Sequence, residues 1–176
     1  IPLINLWKYR SATGYHHPLL TEAPSVLVQS TRKPGIDVEE AFMKKIIVTG
    51  GAGFIASHIC DHLLAAYPSA RIVIVDKLTY AGNMDNLSQA LTHPHIEFIK
   101  GDVCDFDLMM DITKDADWVI HAAAESNVEH SFLTPLTFSQ TNVIGAHTVM
   151  ECCRQNNVPK IFHISSDEVY GEIPSP

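Results

Sequence analysis

The feature that most constrains the fold is a glycine-rich segment, KKIIVTGGAGFIASHICDHLL, between an apolar run and a helix-like pattern at residues 44–64. Gly50, Gly53 and Ala56 stand three apart, directly after a predicted strand and at the start of a predicted helix. Backbone N–H groups and the helix dipole can receive a phosphate group at such a turn. We expect Gly50 to permit the tight turn, Gly53 to let the backbone approach the phosphates, and Ala56 to bring helix and strand close together. The alternative is a set of glycines that only shapes a turn.

Short β-branched runs alternate with helical patterns from Lys44 onward. The predicted strands are 45–49, 71–76, 95–100, 117–122 and 160–165. The predicted helices are 54–66, 84–91, 106–113 and 135–155, the last with Thr134 as N-cap and Pro135 at its first position. The strands are mostly apolar on both faces, which is typical of a covered parallel sheet. The pattern therefore predicts an α/β fold with a doubly wound parallel sheet, a Rossmann fold.

Residues 1–42 differ from the rest of the chain, because they carry scattered Pro, Ser, Thr and His without a sustained period. We interpret them as an N-terminal extension or linker, and residues 43–176 as the dinucleotide-binding domain.

Composition and charge narrow the class of function. With 46% hydrophobic residues and a net charge of −8, the 176-residue chain resembles a soluble globular protein without the clustered basic residues of a nucleic-acid partner. No apolar run approaches the length of a membrane span. The four cysteines lack zinc-type spacing and two of them are adjacent, which favours reduced thiols and a cytoplasmic location. His58 and His62 stand four apart without an apparent third ligand, so we predict no metal site.

The second predicted strand ends in Asp76, where a carboxylate can accept hydrogen bonds from the adenosine ribose hydroxyls of a dinucleotide. Its charge would repel a 2′-phosphate, which favours NAD over NADP. The neighbouring Lys77 has two interpretations, since it could accommodate that phosphate or be a solvated turn residue.

Five ordered motifs, VTGGAGFIASH, VDKLTYAGNMDNL, GDVCD, HAAAESNVEHS and ISSDEVYGE, cover residues 44 to about 173. Together they resemble the extended short-chain dehydrogenase/reductase family, most closely its sugar-nucleotide 4,6-dehydratases acting on dTDP-glucose. The resemblance places Asp102 and Val103 near the adenine, Ala122, Ala123 and Ala124 between pyrophosphate and nicotinamide, and Thr79 on the cofactor. The complete set of expected cofactor residues is Gly50, Gly53, Phe54, Ile55, Asp76, Lys77, Thr79, Asp102, Val103, Ala122, Ala123 and Ala124.

The resemblance assigns the catalytic signature to Ser166, Asp167 and Glu168. In the family reaction NAD oxidises carbon 4 of the hexose, which acidifies the proton on carbon 5. Glu168 would remove that proton as base, Asp167 would protonate the departing carbon-6 hydroxyl, and the hydride would return to carbon 6. Neighbouring carboxylates in a partly dry site cannot both ionise freely, so their pKa values should separate as this acid and base pair requires.

The family also uses a Tyr-x-x-x-Lys pair, and none of the five tyrosines here is followed four residues later by lysine. By resemblance that pair lies beyond ISSDEVYGE, so we expect a truncated Rossmann domain without the C-terminal substrate domain. We predict conversion of dTDP-glucose to dTDP-4-keto-6-deoxyglucose by the family, with UDP-glucose as the alternative substrate. A non-catalytic NAD-binding or interaction fragment is the other alternative. The expected partners are a sugar nucleotide and a second copy of the chain, since the long helix often joins a dimer interface in the family.

Overall fold

The computed structural model describes residues 45–166 together with Val169 and Gly171. Within this part, five strands form one parallel sheet: β1 (Lys45–Thr49), β2 (Arg71–Asp76), β3 (Ile96–Lys100), β4 (Trp118–His121) and β5 (Lys160–His163). Their order across the sheet is β3-β2-β1-β4-β5. The chain adds β2 and β3 on one side of β1 and then crosses to add β4 and β5 on the other. This confirms the predicted doubly wound sheet. The extension predicted at residues 1–42 lies outside the described residues.

Five α-helices occur in the described part: α1 (Phe54–Ala66), α2 (Phe106–Thr113), α3 (Val128–Leu133), α4 (Pro135–Ser139) and α5 (Ala146–Gln155). The predictions for α1 and α2 match these bounds. Short α3 was not predicted; Asn127 starts it, because its side-chain oxygen accepts a hydrogen bond from the N–H of His130 at 2.9 Å. None of the helices in the described part is long and apolar enough to cross a membrane.

The helix predicted at 84–91 is wrong, since the structure has two 3₁₀ turns there, Met84–Leu87 and Ala90–Thr92. The cause lies in Asn83 and Asn86, whose side chains form hydrogen bonds with the backbone. The Asn83 side chain accepts from the N–H of Asp85 at 3.0 Å, and the Asn86 amide donates to the carbonyl of Ala52 at 2.8 Å. Asparagine side chains that form hydrogen bonds with nearby backbone groups compete with the hydrogen bonds of an α-helix. The bond from Asn86 to Ala52 also holds this segment against the glycine loop.

The structure confirms the ends of the helix predicted at 135–155, but a π-helical turn at Gln140–Gly145 separates α4 from α5 within it. A Cβ atom on Gly145 would lie 2.7 Å from Cγ2 of Val103, so the turn packs closely on the loop after β3. The extra residue of a π turn changes which side chains face the sheet. Val143 in this turn is 63% exposed, whereas Val149, Cys152 and Cys153 of α5 are buried. Thr134 precedes α4 as predicted, but no side-chain hydrogen bond caps that helix.

The central strands β1, β2 and β4 are buried on both faces, as their apolar sequences predicted, whereas the edge strand β3 is partly exposed and β5 is mostly exposed, contrary to the prediction. Alternate residues of a strand face opposite sides, so Ile46, Val48 and Ile72 pack with α1 while Ile47, Val73 and Val119 pack in a second cluster with residues of α2 and α5. Ala56 is 2% exposed within the first cluster, in agreement with its predicted role in close helix packing. The two layers fix the strand ends, where the candidate site lies.

Candidate functional site

The candidate site lies at the carboxyl ends of β2, β1 and β4, which are adjacent in the sheet. Between β1 and β4 the direction of winding reverses, and ligands of open α/β sheets bind at such a switch point. The segments that meet here are the glycine loop after β1, the loop after β2 and the segment after β4. They contain most of the cofactor residues that the sequence predicted.

Two glycines of the glycine loop pack closely against neighbouring strands and loops. Gly50 has a φ of +70°, and a Cβ atom there would lie 2.7 Å from the backbone N and Cα of Ala123. Its N–H donates to the carbonyl of Val75 at 2.7 Å. Gly51, which the sequence prediction missed, faces Ile74, whose Cγ2 would be 2.3 Å from an added Cβ. Both positions therefore require glycine for packing, and Gly50 also for its left-handed backbone.

Gly53 occupies a different environment, since the nearest atom to an added Cβ is the Gly50 carbonyl oxygen at 3.1 Å. It is the N-cap of α1, where no side chain caps the helix and the first turn has no acidic residue. Phe54 and Ile55, the next two residues, are 74% and 61% exposed. The first N–H groups of a helix have no partner within the helix, and together with the dipole they form a site for an anion.

Asp76 stands at the carboxyl end of β2 and is 9% exposed. One carboxylate oxygen accepts from the N–H of Ala52 at 3.0 Å, and the other accepts from the N–H of Leu78 at 2.7 Å. A carboxylate can accept about four hydrogen bonds, so capacity remains for ribose hydroxyls. Asp76 thus joins the glycine loop to the loop after β2, a structural role beyond the one predicted.

The loop after β2 forms a tight turn whose backbone is fixed by contacts with Asp76. Leu78 has a φ of +59°, which is uncommon for a residue with a side chain and is held here by its bond to Asp76. The N–H of Gly82 donates to the carbonyl of Thr79 at 3.1 Å, and an added Cβ on Gly82 would lie 2.8 Å from Oδ1 of Asp76. Thr79 is exposed on this loop, where the predicted cofactor contact would require it.

Lys77 and Asp102 form an ion pair, with Nζ of Lys77 2.6 Å from Oδ2 of Asp102. Although partial burial opposes ionisation of Asp102, the hydrogen bonds from Lys77 and from the N–H of Cys104 hold its carboxyl pKa below the usual range. The hydrogen bond to Asp102 likewise raises the pKa of Lys77. Lys77 is therefore paired with the loop after β3, which neither sequence interpretation anticipated. Val103, the predicted adenine neighbour, is 5% exposed next to this pair.

The segment after β4, Ala122–Asn127, is held at three points along its length. Near its start the N–H groups of Ala122 and Ala123 both lie 3.3 Å from the hydroxyl oxygen of Thr49. In its middle the backbone of Glu125 forms two 2.8 Å hydrogen bonds with the side-chain amide of Asn142, which lies in the π turn. At its end the N–H of Asn127 donates to the Tyr80 hydroxyl at 3.1 Å. Sequence reasoning missed these side-chain anchors, because they join positions 17 to 74 residues apart.

Ser166 is exposed after β5, and the N–H of Val169 donates to its carbonyl at 3.4 Å. Asp167 and Glu168, the predicted acid and base, lie outside the described residues. Within the described residues, no group of three or more His, Cys, Asp or Glu side chains is placed to hold a metal ion. The structure therefore describes the cofactor part of the predicted site in detail and the catalytic part only at Ser166.

Comparison with known proteins identifies the family. Residues 47–176 match the family model of GDP-mannose 4,6 dehydratase. Over 132 residues the chain is 40% identical to a trifunctional UDP-glucose 4,6-dehydratase/UDP-4-keto-6-deoxy-D-glucose 3,5-epimerase/UDP-4-keto-L-rhamnose-reductase of Arabidopsis thaliana, covering 73% of this chain and 20% of the relative. Over 142 residues it is 37% identical to dTDP-D-glucose 4,6-dehydratase of Bos taurus, covering 80% and 40% of the two chains.

Among solved structures, the fold is similar to DesIV, a dTDP-glucose 4,6-dehydratase from Streptomyces venezuelae with NAD and TYD bound, with a TM-score of 0.71 and 41% identity. The match covers 75% of this chain and 42% of DesIV. The chain thus spans less than half the length of these relatives. The resemblance seen in the five motifs is confirmed over the region that carries the switch point, the glycine loop and Asp76. On the extent of the family match and the agreement in fold, the chain belongs to the GDP-mannose 4,6 dehydratase family.

Proposed function

We propose that this chain carries the NAD-binding half of a sugar-nucleotide 4,6-dehydratase. The observation that carries the proposal is the junction between the glycine loop and Asp76. There an uncapped helix N-terminus lies beside a nine-tenths buried carboxylate at the switch point of the sheet. Helix N–H groups favour an anionic pyrophosphate, and a carboxylate at the end of the second strand favours ribose hydroxyls.

The residues at this junction fit a dinucleotide. Among the described residues other than its chain neighbours, one backbone oxygen lies within 4 Å of a Cβ added to Gly53, which leaves room for a phosphate against the backbone. The proposed contacts run from pyrophosphate to nicotinamide and adenine through Gly50, Gly53, Phe54, Ile55, Asp76, Thr79, Asp102, Val103, Ala122, Ala123 and Ala124. Lys77 is proposed to act through its ion pair with Asp102, which holds the loop after β2 against the loop after β3.

The charge at Asp76 supports NAD over NADP. A 2′-phosphate placed beside this buried carboxylate would meet a like charge, and Lys77 is already paired with Asp102. NAD bound here supplies a hydride acceptor for carbon 4 of the hexose. By the family resemblance, Glu168 takes the proton from carbon 5 and Asp167 gives a proton to the departing carbon-6 hydroxyl, with Ser166 beside them.

The proposed substrate is dTDP-glucose, and UDP-glucose is the second candidate. A dTDP-glucose enzyme is 41% identical to the chain, and an enzyme named for UDP-glucose 4,6-dehydratase activity is 40% identical. Identity alone therefore supports the two nucleotides equally. The motifs LTYAGN and AAAES favour dTDP-glucose by resemblance.

The first test is a calorimetric titration of the purified chain with NAD and, separately, with NADP. We expect NAD to bind and NADP to bind more weakly. Absence of NAD binding to the folded chain would refute the proposal. The same protein is then incubated with NAD and either sugar nucleotide, and mass spectrometry follows the loss of one water. Conversion of one substrate identifies the nucleotide, whereas NAD binding without conversion favours a non-catalytic NAD-binding fragment.

Gly53→Ala tests in this titration whether the backbone at Gly53 contacts the pyrophosphate. Because Gly53 has a φ of −72°, alanine is compatible with its backbone, and we expect a change in unfolding free energy within about 1 kcal/mol. A methyl group at the pyrophosphate should nevertheless weaken NAD binding by about tenfold or more, since the backbone approach is lost. Ala56→Ser, a similar small change two residues into the buried face of α1, is the matched control and should affect stability more than affinity.

Two further expectations belong to the same proposal. Self-association through the segment from α4 to α5 is supported by exposed Leu136, Val143 and Ile144, which are 82%, 63% and 47% accessible. Sedimentation velocity should show a dimer that Val143→Asp weakens; a monomer at all concentrations would contradict this. A cytoplasmic location is supported by four cysteines without disulfide bonds.

A further inference from the structure

Three neighbouring strands place Thr49, His121 and His163 in register at their carboxyl ends. Thr49 is fully buried and His121 is 1% exposed. The His121 ring is stacked on that of His163, with 5.1 Å between centroids and 19° between planes. Neither Thr49 nor His121 is among the proposed cofactor contacts. Polar side chains buried this deeply are normally hydrogen-bonded, so their partners indicate their role.

The Thr49 hydroxyl is the centre of the cluster. Its oxygen lies 2.7 Å from Nδ1 of His121 and 3.3 Å from the N–H groups of Ala122 and Ala123. A hydroxyl has one proton to donate and two lone pairs to accept with. Both amides can only donate to this oxygen, although the N–H of Ala122 is shared with the Thr49 backbone carbonyl, which lies 3.2 Å away. The hydroxyl proton then has one acceptor available among these partners, Nδ1 of His121.

This arrangement determines the tautomer of the ring. Were Nδ1 protonated, three N–H groups would face one oxygen and the buried Thr49 proton would lose its acceptor, which is costly. The ring proton is therefore on Nε2, which has no hydrogen-bond partner among the described residues. Burial, with a smaller effect of His163, lowers the pKa of His121 to about 4, so the ring is neutral at pH 7.

We propose that His121, as the neutral Nε2–H tautomer, is a positioning residue for the dinucleotide site. It accepts the Thr49 proton, leaves the lone pairs of that oxygen to the Ala123 amide and to the shared Ala122 amide, and so holds the segment after β4 against Gly50. The segment must be placed accurately, because Gly50 packs so closely on it that an added Cβ would be 2.7 Å from the Ala123 backbone. The link to the cofactor rests on the proposed function; the tautomer and the fixing of the segment do not.

The tautomer is measured directly on the wild-type chain by two-bond ¹⁵N–¹H correlation of the histidine rings at pH 7. The His121 signals are assigned by their loss in His121→Asn. We expect an unprotonated Nδ1 and a protonated Nε2. A protonated Nδ1, or a doubly protonated ring at this pH, would overturn the proposal without any need for a variant to fold.

Hydrogen exchange of the Ala123 amide measures the positioning, and the Ala122 amide, which also donates to the Thr49 carbonyl at 3.2 Å, is an internal comparison. Loss of the acceptor in Thr49→Val should speed exchange of the Ala123 amide by about tenfold relative to amides elsewhere in β1 and β4, because its bond to the hydroxyl is lost, whereas Ala122 keeps its bond to the Thr49 carbonyl. Thr49→Ser retains the hydroxyl and should restore slow exchange. Equal exchange in all three proteins would show that the hydroxyl does not hold the segment.

NAD titration of His121 variants tests the consequence for binding. His121→Asn keeps an acceptor near the position of Nδ1, whereas His121→Leu does not. We expect an affinity loss of about tenfold for leucine and within about threefold for asparagine, as for one hydrogen bond to a positioned segment. Should leucine lower thermal stability but leave amide exchange and NAD affinity unchanged in the folded protein, His121 is structural only and the proposal fails. Should the wild type not bind NAD, the proposed function fails while the tautomer and exchange results still decide the positioning.

Discussion

Lowering the pH from 7 to 5 should destabilise this protein through His121. Its pKa falls from 6.5 in the unfolded chain to about 4 in the fold, first because the ring is buried and second because of nearby His163. Between these two values the unfolded chain binds more protons than the folded one. The contribution of the neutral ring is therefore complete above the unfolded pKa and is lost as the pH falls toward 4.

The magnitude follows from linkage. One pKa unit corresponds to about 1.4 kcal/mol, so complete protonation would remove roughly 3 kcal/mol. Only part of this loss occurs by pH 5. Integrating the difference in proton binding between the unfolded and folded chains from pH 7 to pH 5 gives a loss of about 2 kcal/mol in the free energy of unfolding. For a domain whose total stability is about 5–15 kcal/mol, that change is large enough to measure.

Urea unfolding at pH 7, 6 and 5, followed by circular dichroism, gives the free energy of unfolding at each pH. The wild type should lose about 2 kcal/mol across this range, and His121→Asn should lose much less because the titrating ring is absent. His163→Gln is the matched control, since it removes an exposed neighbouring ring and should retain most of the slope. Equal slopes in the wild type and His121→Asn would refute the reasoning.

Three substitutions test the remaining contacts. Gly50→Ala should destabilise by at least about 2 kcal/mol, because a left-handed φ and contact with the Ala123 backbone both oppose a side chain; urea unfolding measures this. Asp76→Asn should cost about 1–3 kcal/mol, since an amide NH₂ replaces an acceptor facing a backbone N–H, and retention of full stability would contradict the assigned bonds. Lys77→Met should change stability by less than about 1 kcal/mol, as expected of an ion pair near the surface, since the two side chains are 55% and 30% exposed. It should also raise the pKa of Asp102, which a carboxyl-detected NMR titration would show or disprove.

The parts that the sequence predicted correctly have local signatures. Each strand is a short β-branched run, and the glycine loop is a fixed spacing between a strand and a helix, so both are visible within a few residues. Asp76 was found in the same way, because it ends the second strand at the expected distance from the glycines. The family resemblance joined these local signals in the right order, and the comparison over residues 47–176 bears it out.

The errors arose where distant contacts determine local structure. The 3₁₀ turns replaced the predicted helix at 84–91 because Asn86 binds Ala52, which is 34 residues away. The helix at 135–155 has the predicted ends, but the sequence did not predict its π turn, which lies where Gly145 packs on Val103. Nothing within either segment signals such a partner, since local propensity is overridden by tertiary contacts.

The anchors of the segment after β4 explain why the site needs more than its glycines. Thr49 comes from β1, Asn142 from the π turn and Tyr80 from the loop after β2, and each binds the backbone of the segment. Hydrogen bonds to the backbone of the segment do not depend on its side chains. The small side chains of the segment are therefore free to match the shape of a ligand. Two irregular features of the fold, the π turn and the left-handed Leu78, lie at or beside these anchors. They are therefore best explained as consequences of positioning one backbone segment over the switch point, where strain and helix irregularity commonly accompany function.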